Sequence, residues 1–335
     1  MNAKEKPTIA ITMGDPCGIG PEVVTKALAT NLVFSICTPI VVGDTATMLD
    51  AINLTRLPLK INTITDPAQA QGISHCIDVL DIQNLPPESV TVGKVSPRCG
   101  RAAMEWVTKA GELALAGEVQ GLATAPLNKE AASLAGYKAI GHMELLQELS
   151  GAQEVATMLM SGRLRVVHLT THRSLRLACD YVKKEHILSK LELTHTTFEQ
   201  WGMPNPNIGV PAINPHGSDG GLLGNEEADE ISPAIQEARE RGIRAHGPVP
   251  ADIVFHKAIK GDYDVVLAMY HDQGHIPVKV YGFEKSISAN LGLPFVRTSV
   301  DHGTAFDIAG LGIAQPQSMI EAITVAVALC TGKGL

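Results

Sequence analysis

The sequence predicts an α/β protein of two domains, each built mainly on parallel sheet flanked by helices. Three observations predict it. Short apolar runs rich in β-branched residues alternate with segments of helical spacing. Polar clusters follow directly on several of those runs, where the ligand loops of parallel sheets lie. A length of 335 residues suits two hydrophobic cores better than one.

The elements follow in chain order. Residues 8–12, Thr-Ile-Ala-Ile-Thr, form a short buried strand. The run Gly14-Asp-Pro-Cys-Gly-Ile-Gly-Pro-Glu22 turns the chain, and Pro21 suits the first turn of a helix continuing through residues 23–28. Residues 39–43 and 76–80 are two more buried strands. Residues 99–115 have helical spacing and 121–124 read as a strand. Residues 164–169 form a strongly apolar strand running into Thr170-Thr-His172. Helices are expected over 186–201, 226–241 and 316–329, with strands over 207–210 and 264–269. There is no internal repeat and no low-complexity tract.

Composition excludes several functions. The formal net charge is −8 and aromatic residues are 4% of the chain, which argues against a nucleic-acid-binding face or stacking platform. No apolar run approaches the roughly 20 residues that span a bilayer. Residues 1–7 carry charge without an apolar segment after them, so a cytoplasmic location is expected. Six scattered cysteines, with no CxxC pair, point to free thiols. The GxGxxG, Walker, HExxH and GxSxG motifs are absent.

The chemistry-bearing residues gather after strands. His172, His216 and His271 each follow a predicted strand, far apart in sequence. Neutral imidazoles bind zinc and related divalent metals, and three protein ligands leave positions open for substrate. Taken singly, each reads more readily as a hydrogen-bonding loop histidine than as a ligand. Asp301-His-Gly-Thr-Ala-Phe-Asp-Ile-Ala-Gly310 permits close backbone approach to a ligand, or makes a turn between core helices. Lys279 and Arg297 are either an anion clamp or solvated cations; the apolar run 291–296 favours the clamp for Arg297.

Those residues, taken with their neighbours, resemble the 4-hydroxythreonine-4-phosphate dehydrogenase family of pyridoxal phosphate biosynthesis. The resemblance runs through Met13-Gly-Asp-Pro-Cys-Gly-Ile-Gly-Pro-Glu22, Thr124-Ala-Pro-Leu-Asn-Lys-Glu130, Gly141-His142, Thr171-His172, Asn214-Pro-His216, Tyr270-His-Asp-Gln-Gly274 and Arg297-Thr-Ser-Val-Asp-His-Gly-Thr304. It implies an isopropylmalate-dehydrogenase-like fold with the active site in the interdomain cleft. The domains are expected at residues 1–128 with 306–335, and at 129–305. It implies one divalent metal, Zn or Mg, Mn or Co, held by His172, His216 and His271, in a site completed across a homodimer interface. The substrate implied is a phosphorylated hydroxy acid, bound by His142, Met143, Lys279, Ser288, Asn290 and Arg297. Asp272 and Asp252, with His142, are the candidate catalytic groups. Asp301, His302, Gly303, Thr304 and Asp307 fall in the segment similar to the NAD or NADP loop of isopropylmalate dehydrogenases, which accounts for the missing Rossmann turn. The implied reaction is oxidation followed by decarboxylation. Three departures from the family pattern bear on the substrate. Met143 stands where threonine is usual, Ser288 where asparagine is usual, and Gly217-Ser218-Asp219 replaces Ala-Gly-Glu. The substrate expected is 4-hydroxythreonine 4-phosphate or a closely related acid; Met143 and Ser288 favour the alternative, a catabolic paralogue acting on 4-phosphothreonate, 4-phosphoerythronate or a cyclic dihydrodiol acid. A phosphate acyltransferase, which shares the broad fold, is the alternative of another class.

Overall fold

The computed structural model describes residues 6–335; the first five residues of the charged N-terminal stretch lie outside the described residues. Two compact units result, Met1–Gln153 with Leu293–Thr331, and Glu154–Gly292 with Gly332–Leu335.

In chain order the first unit contains β1 (Thr8–Thr12), α1 (Gly20–Leu28), α2 (Asn31–Ile36), β2 (Thr38–Gly43), α3 (Thr45–Thr55), β3 (Lys60–Ile64), β4 (Cys76–Asp81), α4 (Pro97–Leu115), β5 (Gly121–Thr124), α5 (Lys129–Leu134) and α6 (His142–Ser150). The second unit contains β6 (Ala156–Ser161), β7 (Leu164–His168), α7 (Leu175–Tyr181), α8 (Lys184–Gln200), β8 (Ile208–Pro211), α9 (Ser232–Glu240), β9 (Ala245–Val249), α10 (Ala251–Lys260), β10 (Val265–Ala268), α11 (His271–Gly282) and β11 (Ile287–Leu291). The chain then returns to the first unit with β12 (Val296–Val300) and α12 (Gln317–Cys330).

The strands of the first unit lie in the order β3-β4-β2-β1-β5-β12 and pair in parallel throughout. Those of the second lie in the order β11-β6-β7-β10-β8-β9. There β7, β10, β8 and β9 are parallel, while β6 pairs antiparallel with both β11 and β7. Central strands such as β1, with Ile9, Ala10 and Ile11 fully buried, are covered by helices on both faces, which is why they read as unbroken apolar runs. The core of the second unit joins Leu159, Leu164 and Val166 to Val254, Phe255 and Val278. Each such side chain contributes about 1.5–3 kcal/mol on burial.

The units divide at 153/154 and 292/293, where the sequence reading placed the boundaries at 128/129 and 305/306. Residues 129–153 stay with the first unit because α5 packs on α4 so closely that Gly100 meets the Ala131 backbone, and Leu146 and Leu149 of α6 cover Gly111. Residues 296–300 stay because β12 pairs with β5. The helix expected over 226–241 is broken in character: Glu227–Ile231 is a π turn and α9 is regular. Among the described residues no helix is long and apolar enough to cross a membrane.

Candidate active site

In the first unit, the parallel pairing of β12 with β5 sets Arg297 opposite Leu122 and fixes the site around Thr124. Arg297 is buried, and its Nε and Nη2 both donate to Thr124 Oγ1, at 3.2 and 2.6 Å. Burial pushes its guanidinium down to about 9, opposed by the Glu144 carboxylate, so it remains charged at neutral pH. His142 opens α6 behind Gly141, which supplies no side-chain cap. Burial, then the Arg297 charge, hold its imidazole well below the usual histidine range; the Ala125 backbone opposes them. The ring is therefore neutral, with its Nδ1 proton toward that backbone. Its Nε2 is shielded from solvent and unpartnered. The result is a buried cation beside a lone acceptor. Met143, next on α6, brings a thioether where a hydroxyl would donate.

The turn after β1 is tied to the same unit's other loops. Gly14 has φ +77, and a Cβ there would sit 2.6 Å from the Pro126 carbonyl, to which Asp15 N also donates at 2.9 Å. Burial raises the Asp15 carboxyl to about 6, opposed by the Cys17 N–H. Gly18 abuts Thr304, whose carbonyl oxygen would lie 2.7 Å from an added Cβ, and Ile19 N donates to that oxygen at 3.0 Å. The Asp301–Gly310 segment, carrying Asp301, His302, Gly303, Thr304 and Asp307, is thus a loop fastened to the β1–α1 turn. Its Ala309–Gly310 end borders a cavity of about 480 Å³ walled by Val90, Val92 and Leu54. Glu22 also lines it, buried, with Oε2 unpartnered. The cavity is lined by apolar side chains together with the carboxylates of Glu22 and Asp50.

In the second unit, His271 begins α11. Gln273 anchors that start, accepting from Met269 N at 2.7 Å and donating to Ala212 O at 2.8 Å. His271 stacks on His275 with ring centroids 3.6 Å apart, and His275 Nδ1 lies 3.0 Å from His168 Nε2. Burial, then His275, push His168 down to about 3, so it is a neutral acceptor. His271 Nδ1 is bound to Asp272 Oδ1 at 2.6 Å, which leaves Nε2 outward. His172 follows β7, and its ring centroid is 6.0 Å from that of His271. Two imidazoles bound through Nε2 to one tetrahedral zinc-like ion would have centroids roughly 5 Å apart, so the pair stands about 1 Å wider than a closed site. The carboxylate behind His271 is the usual support for such a ligand.

His216 is not brought to that pair. Residues 216–221 all have positive φ, and His216 Nδ1 is held by Asp219 Oδ2 at 3.2 Å with most of the ring in solvent. Three of those residues are not glycine, at about 1–2 kcal/mol each. Glu227 holds the segment. Its carboxylate accepts from Ile213 N at 2.8 Å, Asn214 N at 2.7 Å, Asn214 Nδ2 at 2.9 Å and the Ser218 hydroxyl. Among the described residues no three His, Cys, Asp or Glu side chains are grouped to hold a metal. Within one chain the donor chemistry fits a divalent metal at His172 and His271, and the third ligand expected from the sequence stands apart.

The remaining residues are spread through the second unit. Ser288 and Asn290 share one face of β11. Lys279 lies on α11, its Nζ 4.9 Å from the Phe283 ring centre. Asp252 is exposed in the first turn of α10, whereas Asp272 is committed to His271. Sequence reasoning missed Thr124, although it stood in a quoted motif, and Glu227, whose partners lie 9–14 residues back along the chain.

Burial alone would raise the Glu227 carboxyl; the N–H of Asn214, the Ser218 hydroxyl and the Asn214 amide outweigh it and hold it low. Its contribution to stability is therefore full above the unfolded carboxyl value of about 4.3 and is lost as pH falls through the folded value. Glu227→Ala is expected to cost about 2–4 kcal/mol in urea denaturation at pH 7, and less at pH 4.

The sheet topology is that of the isopropylmalate-dehydrogenase-like fold class. Residues 35–326 match the family described as pyridoxal phosphate biosynthetic protein PdxA, and the chain belongs to that family. It is 45% identical over 328 residues to the D-threonate 4-phosphate dehydrogenase of Cupriavidus necator, covering 98% of each chain. The crystal structure of 4-hydroxythreonine-4-phosphate dehydrogenase from Klebsiella pneumoniae superposes with a TM-score of 0.91 at 41% identity, covering 98% of this chain and 99% of that one. A terephthalate 1,2-cis-dihydrodiol dehydrogenase from Burkholderia xenovorans matches at 0.68 and 30%, covering 97% and 98%.

Proposed function

We propose that this protein oxidises a phosphorylated 3-hydroxy acid of the four-carbon threonate type, using NAD or NADP and a divalent cation, and that the 3-keto acid formed loses CO₂. The observation that carries the reading is the buried Arg297 guanidinium gripped by Thr124. A charge costs free energy to bury and is retained where an anion meets it. The kinship to a D-threonate 4-phosphate dehydrogenase, with Met143 and Ser288 in place of the usual threonine and asparagine, favours the threonate over 4-hydroxythreonine 4-phosphate.

Arg297 holds the phosphate as a cation. Neutral His142 offers Nε2 as an acceptor, suited to a substrate hydroxyl or a protonated phosphate oxygen. Ser288 and Asn290 supply hydrogen bonds from one strand face. His172 and His271 hold the cation, Asp272 orients His271, and His216 completes the set in a homodimer. The cation, Zn²⁺, Mg²⁺, Mn²⁺ or Co²⁺, supplies Lewis acidity at the substrate oxygens. Asp301–Asp307 would hold the dinucleotide, which would supply the hydride acceptor. Asp252 takes the C3 hydroxyl proton as hydride leaves C3. The β-keto acid then releases CO₂, and reprotonation at C2 gives 3-hydroxy-2-oxopropyl phosphate; the amino substrate would give 3-amino-2-oxopropyl phosphate. Support for a dimer comes from α11 and the turn after it, which expose Ile276, Val280 and Phe283 to solvent.

A panel assay tests this. 4-Phospho-D-threonate, 4-phospho-D-erythronate, 4-hydroxythreonine 4-phosphate and a cis-dihydrodiol acid are offered with NAD or NADP and each cation. Reduced-nicotinamide absorbance should appear with the threonate. Silence with every acid, together with acyl transfer from an acyl-CoA to phosphate, would place the protein in the acyltransferase class.

A further inference from the structure

His172 and His271 line a cavity of about 310 Å³ in the second unit, together with Thr171, Arg173, Tyr270 and Asp272. Arg173 is its one lining arginine or lysine. Its guanidinium is held against an aromatic face. Its Cζ lies 4.0 Å from the centre of the Tyr181 ring. That ring is itself stacked on His186, with centroids 3.9 Å apart and planes 12° from parallel. His186 Nδ1 in turn lies 3.0 Å from the Tyr181 carbonyl. A tight turn, with Arg173 N donating to Thr171 O at 2.9 Å, starts the side chain beside His172.

An aromatic face orients a guanidinium without neutralising it. No described carboxylate forms an ion pair with Arg173, and Asp272, the lining carboxylate, is taken up by His271. A full positive charge is therefore fixed in the wall that holds the two imidazoles, with its planar fork available to an anion. Arg173 is exposed on the loop after β7, as is Leu175 beside it, so the guanidinium can reach a ligand entering the cavity from solvent.

We propose that Arg173 is a specificity-determining residue: it binds the C1 carboxylate of a 2-hydroxy acid and disfavours the 2-amino counterpart. The inference rests on the reading that the substrate's acid end lies at His172 and His271. At neutral pH the C1–C2 end of 4-phosphothreonate carries a net charge of −1. The same end of 4-hydroxythreonine 4-phosphate is zwitterionic and carries none. A guanidinium attracts the first and has little net attraction for the second, because its pull on the carboxylate is offset by its repulsion of the adjacent ammonium. The choice between the two acids is thus assigned to a charge that the substrate-binding set read from the sequence does not contain.

The test compares the protein with Arg173→Met, Arg173→Lys and Tyr181→Leu. For each, kcat/KM is measured with both acids under saturating NAD and Mn²⁺. The dissociation constant of each acid is also measured by calorimetry without the dinucleotide. Arg173→Met should reduce the preference for the hydroxy acid by about 10–100-fold, in turnover and in affinity, chiefly through loss on the hydroxy acid. Arg173→Lys should keep most of the preference, and Tyr181→Leu, which frees the guanidinium while keeping its charge, should fall between. An unchanged preference in Arg173→Met, or equal losses on both acids, overturns the assignment. A wild-type protein that oxidises neither acid defeats the reading of the previous subsection instead, and the ratio of the two dissociation constants then decides the role of Arg173 by itself.

Discussion

Replacing Arg297 by methionine should lower kcat/KM for the phosphorylated substrate by about 10²–10³-fold while leaving the protein as stable as before or more so. The two halves of this expectation have one cause. The guanidinium is buried, donates twice to Thr124 Oγ1 and has its proton affinity reduced by desolvation, so it is a cost to the folded protein that methionine removes without leaving a void. Thr124 Oγ1 loses two donors but is still within 3.3 Å of the Thr298 carbonyl, to which it donates. An incoming phosphate, in contrast, loses a charge-assisted partner in a site closed to water, a loss of about 2–5 kcal/mol. Substrate truncation separates this from a general loss of activity. Wild-type protein should lose a comparable factor on the dephosphorylated acid, and Arg297→Met should lose little more on that acid, so the two changes are strongly non-additive. Additive losses would mean that Arg297 serves the fold or another part of the substrate. Calorimetric melting of both proteins checks the stability half.

The same contrast between local and distant causes explains what the sequence revealed. The strands at residues 8–12, 39–43, 121–124 and 164–168 were legible because strands buried on both faces must be largely apolar. Lys-Ile-Asn-Thr-Ile of β3 and Ala-His-Gly-Pro-Val of β9 were not, since each ends its strand order and is half exposed, and β9 contains a proline tolerated only at an edge. Histidines placed after strands were legible for the reason that ligand loops gather there. The conformation around His216 was hidden, because one carboxylate, Glu227, fixes it from a turn that sequence alone reads as ordinary helix. Arg297 stood out against its apolar approach, but Thr124, which aims it, became visible only when β12 was paired with β5.

His271→Ala should abolish stoichiometric metal and lower kcat by about 10³-fold or more, since the polarisation of the substrate oxygen by the cation is worth several kcal/mol. His172→Ala should behave alike, because both rings line one cavity, with centroids 6.0 Å apart. Asp272→Asn distinguishes two roles for its carboxylate. The hydrogen bond to His271 Nδ1 makes it an orienting group, and such partners typically contribute 10–100-fold to metal affinity. Added Mn²⁺ or Zn²⁺ should then restore kcat in Asp272→Asn. A kcat that stays low with metal at full occupancy would make Asp272 the proton acceptor instead and would release Asp252 from that role. His216→Ala carries the sharpest consequence. Its ring is turned into solvent and held by Asp219 within one chain, so its place in the metal set depends on a second copy. Metal content per chain, read by plasma emission alongside light-scattering mass, should fall with His216→Ala in the dimer. Normal metal content and turnover in that variant would leave a two-imidazole centre, with its remaining coordination open to water and substrate.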